Sequence, residues 1–146
     1  MQKKVVANDI LVPEIARLVR EGLQVTFVPK GVSMLPFIRG ERDSVLLGKP
    51  ENLEVMDIVL ARTGRTYVLH RIISVEGDRI TLMGDGNIVG VESCRKDDIL
   101  AKALRIVKPD SQIDCLGKKH RRRAEIWRFL LPVRRYLLAI YRRMVL

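Results

Sequence analysis

Ser33 lies in the segment GVSMLP, residues 31–36, beside two apolar residues and between a glycine and a proline. A serine in such a setting either caps a turn or serves as a nucleophile. The second role requires a base within hydrogen-bond reach, because a hydroxyl is a weak nucleophile until its proton is accepted. The chain has two histidines to supply one. His120 belongs to the run KKHRRR, where a solvated ring is expected. His70 belongs to TYVLHRIISV, the longest strand-like run, among residues that should be half buried. A lone histidine there reads first as a core ring with satisfied nitrogens and second as a general base. Asp85, set in LMGDGN between Gly84 and Gly86, reads by itself as a turn residue.

The elements that must hold these residues follow from the spacing of apolar and turn-forming positions. Ile10, Leu11, Ile15, Leu18 and Val19 approximate helical spacing, with Asn8 or Asp9 as a cap, Pro13 near the start and Gly22 as a stop, so a helix is expected over 9–21. From Gln24 the pattern changes to short β-branched runs. QVTFVP, DSVLLG, DIVLAR, TYVLHRIISV, RITLMG and ILAKALRIVK are the expected strands, and the Gly-Arg of ARTGRTYV and Gly-Asp of SVEGDRITL are hairpin turns. Such short strands with such spacing predict a mostly β, coiled or barrel-like antiparallel body. Residues 108–123, polar and without periodicity, read as a linker. Beyond them, 124–146 reads as a basic amphipathic helix that Pro132 should kink.

Taken together, GVSMLP, VMDIVL, VLHRII and LMGDGN, in that order and at these separations, resemble the signal-peptidase family and the related autopeptidase domains of SOS and phage repressors. The resemblance covers residues 24–107. It implies a serine endopeptidase on a coiled antiparallel β scaffold, cleaving a peptide or protein precursor after small residues. In that family the base is a lysine in the common bacterial enzymes and the repressors, and a histidine in the archaeal and endoplasmic-reticulum branch; His70 followed by Arg71 is similar to the latter. Ser33 would then attack the scissile carbonyl while His70 takes its proton and passes it to the leaving amine.

The resemblance implies more about the surroundings of this pair. Asp85 matches the Gly-Asp of the family and would orient the imidazole, though the third member is Asp85, Glu92 or neither. Gly31 stands where many signal peptidases have a serine that assists the oxyanion hole, so the developing charge would rest on backbone donors, chiefly the N–H of Ser33. Met34 resembles the residue that shapes a small substrate pocket, and Gly31 and Pro36 would contact substrate beside it. The strands around 24–29 and 57–62 would flank an extended peptide added as a strand.

Composition bounds the alternatives. The 146 residues carry a net charge of +10, with 47% hydrophobic and 30% charged positions, enough for a core without disulfides. Cys94 and Cys115 lack metal-ligand spacing, so neither metal nor cofactor is expected, and free thiols fit a reduced, cytoplasmic setting. Residues 1–23 form a helical segment broken by Asn8, Asp9, Glu14, Arg17 and Arg20, with neither the apolar run of a secretory signal nor that of a membrane span. Residues 118–146 hold ten Lys and Arg against Glu125 alone, a net +9, so the basicity belongs to the tail. A basic helix with Trp127, Tyr136 and Tyr141 suits an anionic surface at the inner membrane or a partner protein, and nucleic acid less well because of its apolar bulk. Besides the peptidase, two readings are therefore carried: a peptide-binding module on the same scaffold, and a basic regulator associated with nucleic acid.

Overall fold

A computed structural model describes residues 8–145. Helix α1 (Asn8–Arg20) buries Val12, Ile15, Ala16 and Val19, spaced three and four apart, and leaves Glu14 and Arg17 outside. Gly22, at φ +92°, ends it where L side chains are strained. Eight strands follow: β1 (Val25–Phe27), β2 (Ser44–Gly48), β3 (Ile58–Thr63), β4 (Thr66–Glu76), β5 (Arg79–Met83), β6 (Glu92–Arg95), β7 (Ile99–Val107) and β8 (Gln112–Asp114). The six expected runs all contain strands, and both expected hairpin turns are present, with Gly64 and Gly77 at φ +61° and +59°. β6 and β8, short and polar, carry too little alternation to be read from sequence.

All pairings are antiparallel, in the order β1-β2-β7-β3-β4-β5-β6, with β8 on β7. The sheet curls into a half-barrel, and the molecule is mostly β. Its two faces are both covered near the centre. Along β3, Ile58 and Leu60 join one apolar cluster with α1, whereas Val59 and Ala61 join a second with Ile72, Ile80 and Leu82. Side chains alternate across a strand, so a continuous apolar run such as DIVLA is what two-sided burial requires.

The tail departs from expectation. Residues 108–123 are not an unstructured linker: β8 pairs with β7 within them, and helix α2 (Lys118–Phe129) starts at their end. A 3₁₀ turn over Leu131–Val133, with Pro132, separates α2 from α3 (Arg134–Val145). The start of α2 escapes sequence reading because its buried positions are His120 and Ala124 rather than large aliphatic residues. Both helices dock on the body, and no helix among the described residues is long and apolar enough to cross a membrane.

Candidate functional site

Ser33 sits in a turn between β1 and β2, and three glycines decide how closely other chain segments approach it. Gly31 adopts φ +82°, with open space where a side chain would be. A Cβ on Gly86 would overlap Val32 O, and one on Gly84 would overlap Ser33 O. The turn after β5 therefore packs directly on the serine turn, and Gly86 N–H donates to Ser33 O at 2.8 Å. The glycines flanking Asp85 thus serve close backbone contact as well as turning. Ser33 N–H donates to no group among the described residues.

His70 is buried on β4, paired in register with Val59. Its Nδ1 is in hydrogen-bond contact with Glu92 Oε1 on β6. Its Nε2 faces the opposite way, since a Cβ on Gly84 would stand 3.0 Å from it while meeting Ser33 O. Ser33 and His70 line one cavity of about 140 Å³, together with Gly31 and Met34, and with Val12 of α1 at one side. No hydrogen bond joins the Ser33 hydroxyl to His70. Pro36, which follows a cis peptide bond, does not line this cavity, and Met34 is buried with its sulfur 3.5 Å from Asp85 N.

Asp85 makes no hydrogen bond to His70. Arg71 grips it with two hydrogen bonds of 2.8 Å, both partners being almost completely buried. Neighbouring residues of a strand point to opposite faces, so the carboxylate that serves Arg71 cannot also serve His70. Of the three possibilities left open by the sequence, the geometry puts Glu92 on the imidazole. Arg71 also donates to Met56 O at 2.7 Å and lies over the Phe37 ring at 4.9 Å.

His120, expected to be solvated, is buried and edge-on to Phe37. Arg71 Nη1 lies 3.2 Å from its Nε2, which must accept because a guanidinium only donates. Burial, reinforced by the adjacent Arg71 charge, pushes its pKa down to about 4, so the ring is neutral near pH 7. Nothing in KKHRRR signals this, because the partner is forty-nine positions earlier in the chain.

The helical pair reaches the same turn from outside. Trp127 Nε1 donates to Asp85 O at 2.8 Å, and Arg134 Nη1 donates to Asn87 O at 3.0 Å. Arg121 adds a contact of 2.6 Å to Asp57, which also meets Lys102 at 3.2 Å. The turn over residues 84–87 is therefore held between the serine turn and α2–α3. Trp127 and Arg134 were read from the sequence only as parts of an amphipathic tail.

Sheet edges decide where an extended peptide can add. β3 has partners on both edges, β4 and β7, so the segment 57–62 expected to flank a substrate has no edge to offer. β4 pairs with β5 only from Arg71 onward, and among the described residues, 66–70 have no strand on that side and β1 has no partner besides β2. Phe27 and Pro29 on one side and residues 67–70 on the other line the cavity of Ser33. No family model matches this chain, and no curated protein matches it significantly.

Proposed function

We propose that the chain is a serine endopeptidase that binds an extended peptide between β1 and the free edge of β4 and cleaves it after a small residue, on a fold of the signal-peptidase and repressor-autopeptidase type. The observation that carries this reading is the placement of Ser33 and His70 on one cavity, with Glu92 on the far nitrogen of the imidazole. Glu92 holds the proton on Nδ1, which leaves Nε2 as the basic nitrogen toward the cavity. Ser33 Oγ attacks the scissile carbonyl as Nε2 takes its proton; the C–N bond then breaks as the imidazolium protonates the leaving amine, and water hydrolyses the acyl-enzyme by the same route. The unengaged Ser33 N–H supplies an oxyanion donor, and the open space at Gly31 admits the substrate chain beside it. A cavity of about 140 Å³ suits a small side chain.

A second reading, peptide binding without turnover, is favoured by one observation, the missing hydrogen bond between the Ser33 hydroxyl and His70. Catalytic hydrogen bonds are often long before substrate closes them, so this favours the second reading only weakly. Mass spectrometry of a peptide library incubated with the chain, Ser33→Ala and His70→Ala separates the two. New termini after small residues that vanish in both variants support the peptidase. Identical products from all three proteins overturn it, and retained peptide binding without products assigns the binding module.

A further inference from the structure

We propose that the face formed by α2, the Leu131–Val133 turn, α3 and the loop 88–91 docks on an anionic lipid bilayer, a proposal independent of the peptidase reading. Helix α3 carries three stripes. Arg134 and Leu138 are buried against the body. Tyr136, Ile140 and Met144, four residues apart, form a second stripe that is 63%, 58% and 79% exposed. Arg135 and Arg142, seven residues apart, line the third and are exposed, and exposed Arg143, seven residues from Tyr136, lies at the edge of the second. A surface helix normally hides one apolar stripe, and α3 presents a second one that nothing among the described residues covers.

Apolar side chains are exposed outside α3 as well. Phe129 at the end of α2 is 84% exposed, and Val89 of the loop is 81% exposed. Arg128 lines both the depression that holds Val55 and Phe129 and the cleft that holds Val89, Val91 and Leu131, so the two areas adjoin. Clustered apolar exposure rimmed by charge marks an interaction surface.

Charge selects the occupant. Residues 118–146 carry +9, and the positive charge extends below the surface, where buried Arg71 and Arg134 both lie near Asp85. Arg71 takes that carboxylate, and Arg134 donates only to the carbonyls of Asn87 and Trp127, with no acceptor for its Nε among the described residues. A second copy of the chain would bring the same +9 to the contact and be repelled. Nucleic acid would match the charge but leave Phe129, Ile140 and Met144 without an apolar environment. A bilayer interface accommodates both, taking apolar side chains at the boundary of headgroups and acyl chains and arginines at the phosphates.

Flotation of the full chain with vesicles tests this, using phosphatidylcholine alone and equal parts phosphatidylcholine and phosphatidylglycerol. The wild type should float with the mixed vesicles and stay behind with phosphatidylcholine. Two triple variants, Phe129→Ser/Ile140→Ser/Met144→Ser and Arg128→Glu/Arg135→Glu/Arg142→Glu, alter exposed side chains, and circular dichroism verifies that each is folded. Each should lose partition at least tenfold, the arginine variant more, since each cation near an anionic surface is worth about fivefold. Wild type that does not float with the mixed vesicles, or floats equally with both, overturns the proposal whatever the variants do. An apolar variant that keeps wild-type partition also overturns it and points to charge alone, as on nucleic acid. A wild-type dimer in sedimentation equilibrium that the apolar variant dissociates assigns the face to a second copy instead.

Discussion

His70 and Arg71 are adjacent in the chain and opposite in role, and the difference between Glu92 and Asp85 makes that testable. Glu92→Gln removes the carboxylate from His70 Nδ1 and allows the wrong tautomer; kcat should fall by up to about 10⁴-fold, with the unfolding midpoint little changed because Glu92 is partly exposed. Asp85→Asn should do the reverse. It leaves the buried Arg71 guanidinium without its carboxylate, which costs about 3–5 kcal/mol of stability in comparable buried pairs. Urea denaturation alongside peptide-cleavage kinetics reads both effects. A stable, inactive Asp85→Asn paired with an active Glu92→Gln would reverse the assignment. Ser33 and His70 were legible only as a candidate nucleophile and base, from the order of the motifs that hold them. Which acid meets His70 was not, because Asp85 follows β5 and Glu92 begins β6, and only the pairing of those strands with β4 and the face each side chain takes separate them.

At the scale of elements, the strands were readable wherever apolar residues ran continuously or alternated, and α1 at nearly its full length. What could not be read was attachment. Helices α2 and α3 have arginine and aromatic positions that describe a free amphipathic helix equally well, and it is Trp127 and Arg134 meeting the carbonyls of the 84–87 turn that tie them to the site. Trp127→Phe keeps a ring beneath Arg134, whose guanidinium lies 5.1 Å from the indole, but removes the donor to Asp85 O. Stability should fall by about 1–3 kcal/mol, the cost of an unsatisfied buried polar group. Because Gly86 N–H in the same turn holds Ser33 O, kcat should fall more than KM changes. Steady-state kinetics measure this, and an unchanged kcat with lowered stability would make the helical pair a structural buttress only.

For the whole molecule, His120 joins the tail to the core and sets a pH limit on folding. Its ordinary value is 6.5 and its folded value about 4, lowered by burial and then by Arg71, with Arg121 and Arg123 acting in the same direction and Asp85 opposing. The unfolded chain therefore takes up a proton at higher pH than the folded chain. Stability contributed by this group is intact above about pH 6.5 and is lost progressively as pH falls toward 4. Chemical denaturation at pH 7 and pH 5 should show a larger loss for the wild type than for His120→Gln, whose side-chain carbonyl can still accept from Arg71. Parallel losses in the two proteins would show that the acid sensitivity arises elsewhere.

Residue type, order and hydrophobic period by themselves determined a helix followed by a mostly β antiparallel body, the candidacy of Ser33 and His70, and a tail carrying most of the charge. Those properties are local, set by side-chain chemistry and by repeats of two or about four residues. Only the tertiary structure decided that Asp85 serves Arg71, that Glu92 meets His70, that β4 rather than β3 has an edge free among the described residues, and that His120 is buried against Phe37 and Arg71. Each of these depends on contacts between segments far apart in the chain, where the curl of the sheet and the face of a strand, rather than spacing, determine which groups meet.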